Sequence, residues 1–209
     1  MASVSTFLPL LPYGAPGLIK VSLLYSEKDY LHPGQDDHIV FDSSFCKTGM
    51  LACWDLAWPE AFRALFVQDV ELVVVPSYWV ADDVGEEGKV HDPEAANERS
   101  WLDSMVITRA YENECVVAYV NCGGPAKDGF LGCSAVAAPF KGCLGRTKGP
   151  DEEIKIVEVD LDVLKVSVFQ IIITTFLLTL TQDARSVYQM KKDYLHALEN
   201  RGFSHPLKK

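Results

Sequence analysis

Between positions 71 and 76 the chain reads Glu71-Leu72-Val73-Val74-Val75-Pro76. A nearly unbroken β-branched run of this length is what a strand covered on both faces requires. Its flanks decide the fold class. Upstream, Ala61, Leu65 and Phe66 recur at helical spacing and predict a helix from Glu60 to Val67. Pro59 suits its first turn, where a missing N–H costs nothing. Downstream, the pattern predicts a helix over Trp101–Asn113 and a strand over Cys115–Asn121. Further strands are expected at Ile39–Phe41, Thr48–Ala52, Ser134–Ala137 and Ile154–Asp160, the last with half-buried alternation. Strands alternating with helices imply an α/β sheet packed by helices. A long, acidic, glycine-containing loop is expected from Ser77 to Asn97, and loops of that length at strand ends are often functional.

The remaining composition narrows the function classes. With 209 residues the chain can bury one substantial core. Its net charge of -10, with no basic tract, argues against a nucleic-acid partner. Six cysteines are scattered without a Cys-x-x-Cys pair and histidine is sparse, so neither a structural metal nor a cofactor is called for. Free thiols fit a reducing cytoplasm, and the apolar start lacks the basic residues of a signal peptide.

Four segments are expected. Residues 1–17 carry no charged side chain and read as irregular coil. Residues 18–165 hold the domain. Residues 166–182 form an apolar insertion, and residues 183–209 return to the domain as a helix and tail. Val166–Leu180 is the most apolar run of the chain, yet shorter than the roughly 20 residues of a spanning helix and rich in threonine. Membrane tethering through 166–180 is a weaker alternative to a buried element. A third expectation is that 166–182 is a retained intron translated in frame, since Lys165 would join Asp183 cleanly without it. A spliced transcript that always includes 166–182 would remove that idea.

The segment Gly49-Met50-Leu51-Ala52-Cys53-Trp54-Asp55-Leu56-Ala57-Trp58-Pro59-Glu60 places a thiol between a strand end and a helix start. The free N–H groups and partial positive charge of such a helix favour a thiolate. A buried core cysteine is an equal reading from this segment alone. The surroundings separate the two. The segment resembles the nucleophile motif of the carbon–nitrogen hydrolase (nitrilase) superfamily, an aliphatic strand ending in Cys-x-Asp followed by an aromatic-Pro-Glu. Upstream, Lys20 with Leu23, Glu27 and Pro33-Gly34 is similar to the family's lysine motif. Downstream, Arg109-Ala110-Tyr111-Glu112-Asn113 with Tyr119-Val120-Asn121 resembles its Arg-Ala-x-Glu-Asn helix and the strand after it. Gly132-Cys133-Ser134-Ala135-Val136-Ala137-Ala138-Pro139 resembles its Gly-x-Ser-x-Val-x-x-Pro hairpin. The order of all four matches that of the family.

The resemblance implies a partial four-layer α-β-β-α sandwich, a homodimer when the domain is complete, and hydrolysis of small amides, carbamoyl compounds or nitriles. It makes Cys53 the nucleophile, Lys20 the cation that stabilises the oxyanion beside the Trp54 backbone N–H, and Glu27 the supporting carboxylate that orients the lysine. Lys20 and Glu27 would otherwise read as solvated surface charges. Asp55 is expected to cap the elbow or the helix start, and Glu60 to favour the helix dipole. Arg109 and Glu112 have the spacing of a helical ion pair. Asn113 and Asn121 are expected to hold loops, and Ser134 belongs to the hairpin motif. Tyr78 and Trp79 are candidates for a pocket wall, with core packing slightly preferred. One departure matters. The family's general-base glutamate precedes its lysine, and no Asp or Glu precedes Lys20 here. The match therefore covers roughly the C-terminal two-thirds of the domain. Impaired turnover, an open sheet edge and uncovered apolar faces are the expected consequences. The alternative is an inactive partial domain that serves as the interaction partner of a full-length relative.

Overall fold

The computed structural model of the chain describes residues 38–164. Six strands form one mixed sheet in sequence order: β1 (Val40–Asp42), β2 (Lys47–Met50), β3 (Leu72–Ser77), β4 (Val116–Asn121), β5 (Ala135–Ala138) and β6 (Gly142–Arg146). The central strands β2, β3 and β4 are parallel, and β1, β5 and β6 add antiparallel margins. Parallel neighbours need long crossovers, and helices supply them. Helix α1 (Pro59–Phe66) joins β2 to β3; α2 (Gly85–His91) and α3 (Ala96–Glu112) lie between β3 and β4.

The sequence explains how α1 and α3 are placed. Pro59 occupies the first turn of α1, and Ala61, Phe62, Leu65 and Phe66 form its buried face. Gly49 of β2 lets that face approach closely, because a Cβ there would lie 2.9 Å from both Leu65 δ-carbons. Asp92 caps α3 by accepting hydrogen bonds from the N–H groups of Ala96, Asn97 and Glu98 at 2.9–3.0 Å. Leu102, Met105, Val106 and Ala110 then face the sheet. Each large apolar side chain fully buried here contributes about 1.5–3 kcal/mol relative to exposure.

Four expectations change. The β3 run is not covered equally on its two faces: Val73, Val75 and Ser77 are buried under the helices, whereas Leu72, Val74 and Pro76 are half-buried on the other side. That second face is partly covered by the chain's own 159–164 segment, where Val116, Ala138 and Leu164 make a small separate core. The interval expected to be loop, Ser77–Asn97, contains α2 and a 3-10 turn at Ala81–Val84. Helix α3 begins at Ala96, before the expected Trp101, because the Asp92 cap lies outside the apolar pattern. Ile154–Asp160 forms no strand; it runs unpaired, with Ile154 and Ile156 87% and 90% exposed. Alternation is a sound sign of two faces, but among the described residues no strand offers this segment a ladder.

The expected segments 1–17, 166–182 and 183–209 lie outside the described residues. Among the described residues no helix is long and apolar enough to cross a membrane.

Candidate active site

The parallel strands β2, β3 and β4 end at the same sheet edge, and the site is built from the residues just beyond those three ends. In open α/β sheets this C-terminal edge is where ligands bind. After β2 the ladder persists one residue, with Leu51 N–H bonding Val74 O at 3.1 Å. The chain then breaks into a 3-10 turn, Cys53–Ala57, before α1 starts. Cys53 opens this turn with φ +50. A non-glycine residue in the left-handed region is uncommon, costs about 1–3 kcal/mol and persists only where its surroundings hold it.

Several contacts hold it. The buried carboxylate of Asp55 accepts the Ala52 N–H at 3.0 Å, closing the turn onto the strand end. The Cys53 thiol is half-buried and lies 3.8 Å from the Tyr78 carbonyl oxygen, just beyond β3. The Trp54 ring packs against Trp79 and Trp101 at centroid distances of 4.9 and 5.9 Å. At the far end of the turn, buried Arg109 donates from Nε to Leu56 O at 3.0 Å and from Nη2 to Ala57 O at 3.1 Å.

The expected Arg109–Glu112 pair is present, with Nη1 2.7 Å from Oε1. Spacing did not reveal that the same guanidinium reaches two carbonyls of the elbow. Asn121 also exceeds its expected part. Its side-chain oxygen accepts the Trp79 N–H at 2.8 Å, and its amide nitrogen donates to Trp79 O and Gly132 O, both at 2.9 Å. It thus ties the end of β4 to that of β3 and to the loop before β5. Ser134 continues the tie, accepting the Asn121 N–H at 2.9 Å and donating to Asn121 O at 3.2 Å. Asn113 closes the end of α3, its amide donating to Arg109 O at 2.9 Å. Glu60 is exposed in the first turn of α1.

The two aromatic candidates separate. Trp79 is core, 1% exposed, with its indole N–H donated to Glu98 at 2.8 Å. Tyr78 is exposed and meets Phe130 edge-on at 6.1 Å. Lys20 and Glu27 lie outside the described residues, so their distance from Cys53 is not part of this geometry.

Two groups near the thiol, and Phe130 beside Tyr78, receive no role from the sequence. Tyr119 is buried and donates its hydroxyl to Ser77 Oγ at 3.2 Å. Burial pushes the phenol up, and the Cys53, Cys133 and Cys122 thiols add to the effect while the Ser77 bond opposes it. Cys122 comes directly after β4, and burial raises its thiol, with smaller contributions from Cys53 and Asp83. Tyr119 and Asn121–Cys122 end a predicted strand, and that was the one available signal. Phe130 gave none, since only tertiary structure brings it to Tyr78. Among the described residues no three His, Cys, Asp or Glu side chains gather to hold a metal ion.

A thiol in a strained elbow, at the carboxyl edge of parallel strands in an α/β sheet, has the geometry that a nucleophile elbow requires. The carbon–nitrogen hydrolase family model matches residues 16–166, and the chain belongs to that family. Among its curated relatives, an N-carbamoylputrescine amidase of Arabidopsis thaliana is 27% identical over 144 residues, covering 68% of this chain and 48% of the relative. An (R)-stereoselective amidase of Pseudomonas sp. is 32% identical over 148 residues, covering 70% of this chain and 48% of the relative. A solved structure of the amidase from Nesterenkonia sp. AN1 matches with a TM-score of 0.54 and 26% identity, covering 76% of this chain and 55% of that one. That structure is a Glu-to-Gln variant showing covalent addition of the acetamide moiety of fluoroacetamide at the active-site cysteine. The chain spans about half the length of the curated relatives it matches.

Proposed function

We propose that this chain carries the nucleophile half of a hydrolase for non-peptide carbon–nitrogen bonds in small amides, carbamoyl compounds or nitriles. The observation that carries the reading is Cys53, held at φ +50 where β2 enters its 3-10 turn, with its thiol half-buried beside the ends of β3 and β4. Covalent capture at the active-site cysteine of the Nesterenkonia amidase supports it.

With an amide, the Cys53 thiolate attacks the carbonyl carbon, and the negative charge moves to the oxygen. The Trp54 backbone N–H and the Lys20 ammonium stabilise that oxyanion, with Glu27 orienting the lysine. The tetrahedral centre collapses, the C–N bond breaks, and the leaving nitrogen departs as ammonia with a proton taken from solvent water, which the acid formed on thioester hydrolysis later returns. Water then attacks the thioester, breaks the C–S bond and returns the thiolate. Tyr78 borders the substrate's approach. The chain works without a metal or cofactor, in the cytoplasm, and a complete domain is a homodimer.

Tested on their own, these 209 residues are expected to turn over slowly, since the stretch before Lys20 within them holds no carboxylate to take the thiol proton. Loss of a general base costs about 10²–10⁴-fold. The expected result is therefore weak, Cys53-dependent ammonia release from a panel of small amides and nitriles. Release at the rate of a full-length relative would contradict the impairment, and residual release unchanged in Cys53→Ala would contradict the nucleophile.

A second reading is favoured by the half-open second face of the sheet, where Val120 is 44% exposed. In it the chain is an inactive partial domain that associates with a full-length relative. Co-purification with such a relative, unaffected by Cys53→Ala, is its sign.

A further inference from the structure

The left-handed backbone of Cys53 needs an external hold, and among the contacts that reach the turn from distant elements Arg109 bonds its backbone twice. We infer that Arg109 is a positioning residue of the nucleophile: its guanidinium, reaching from α3 to the carbonyls of Leu56 and Ala57, keeps the 3-10 turn wound so that Cys53 stays in its strained, reactive conformation. This rests on the reading of Cys53 as nucleophile.

The geometry supports it at each step. The turn is only five residues long, Cys53–Ala57, so a shift of its last two carbonyls is passed to its first residue. The near end is fixed by Asp55 on the Ala52 N–H. The far end is fixed by two parallel donations from one planar group, Nε to Leu56 O at 3.0 Å and Nη2 to Ala57 O at 3.1 Å. A fork suits two adjacent carbonyls; an ammonium can satisfy such a pair only as a point charge. Arg109 is itself immobilised. Its Nη1 pairs with Glu112 at 2.7 Å, and its guanidinium lies 5.7 Å from the Phe62 ring centroid. Arg63 holds the Glu112 backbone carbonyl at 2.6 Å and lies 3.9 Å from its carboxylate, securing α1 to the end of α3. The cation also faces the carbonyl end of a helical turn, the end that favours positive charge. With the fork removed, Cys53 relaxes toward an ordinary φ and the thiol leaves its seat beside the Tyr78 carbonyl.

The test uses the full chain and site-resolved iodoacetamide labelling of its thiols across a pH series, read out by mass spectrometry. The Arg109→Lys and Arg109→Gln variants are compared with Arg63→Gln, which takes a second cation from Glu112 and loosens the helix pair while keeping the Arg109 fork itself. The expected result is a Cys53 labelling rate lower by about ten- to a hundredfold in both Arg109 variants. Cys122 and Cys143 should keep their rates, and Arg63→Gln should lower the unfolding midpoint without changing Cys53. An unchanged Cys53 rate in folded Arg109 variants overturns the inference and leaves the nucleophile reading standing. So does a change shared by all three thiols, which would mark general loosening. A Cys53 in the unaltered chain that labels no faster than in the unfolded chain overturns the nucleophile reading, and the inference with it. If the Arg109 variants do not fold, Glu112→Gln frees the guanidinium from its anchor. A selective fall at Cys53 then supports the inference, and an unchanged rate overturns it.

Discussion

Cys133 shows how one half-buried thiol can couple this fold to pH. It lies at φ +63 just before β5, with its thiol donated to Leu131 O at 3.5 Å. Burial pushes the thiol up to about 11; Asp103 adds to the rise, and Arg99 and Arg146 oppose it. The unfolded chain releases this proton near the ordinary thiol value, while the folded chain keeps it to higher pH. Between about pH 9 and about pH 11 the folded state holds more protons, so stability falls as pH rises. Below that window the contribution is fully present. Urea unfolding midpoints should decline across it, and Cys133→Ala should flatten the decline attributable to this site. An equal slope in both proteins would show that other groups set it. The attack proposed for Cys53 asks for thiolate and this position suppresses it, so under that proposal the two thiols should separate in any labelling experiment at neutral pH.

At the scale of elements, two strand ends and the loop before β5 are held together by one amide. Asn121→Ala removes its bonds to Trp79 N, Trp79 O and Gly132 O and leaves those buried backbone groups unpaired. Each unsatisfied group costs about 1–3 kcal/mol, so a total loss of about 3 kcal/mol or more is expected in chemical denaturation. Asn121→Asp should recover only the bond in which the side chain accepts. A loss under about 1 kcal/mol for the alanine variant would mean that the latch is not structural. Most of these elements were legible in the sequence. The β-branched run gave β3, the helical spacing of Ala61, Leu65 and Phe66 gave α1, and Pro59 marked where it starts. What stayed hidden has a common physical cause. The Asp92 cap, the Arg109 fork and the Asn121 latch act through backbone groups, and main-chain partners leave no pattern of residue types. The same holds for φ +50 at Cys53, which no side chain advertises. Ile154–Asp160 failed in the opposite way: its alternation was real, but a strand also needs a neighbour with open N–H and C=O groups.

For the whole molecule the governing asymmetry is between the two faces of the sheet. One lies under α1 and α3 and carries the main core, with Val73, Val75, Val117 and Tyr119 almost wholly buried. The other has its own small core at one end, around Val116, Ala138 and Leu164, while Val120 remains 44% exposed. The unpaired segment adds Ile154 and Ile156, both almost fully exposed. Exposed apolar side chains of this size favour association, whether with like chains or with another layer. Net charge of -10 opposes it by long-range repulsion, and salt screens that repulsion with a Debye length near 10 Å at about 0.1 M. The full chain should therefore sediment as larger species as ionic strength rises. An Ile154→Lys, Ile156→Lys double variant should remove much of that shift. Its unfolding midpoint should change little, because neither side chain is buried. The substitutions also lower the net negative charge, so an Ile154→Ser, Ile156→Ser pair separates surface chemistry from charge: it too should reduce association. If both pairs sediment like the unaltered chain at every salt concentration, these isoleucines do not drive association.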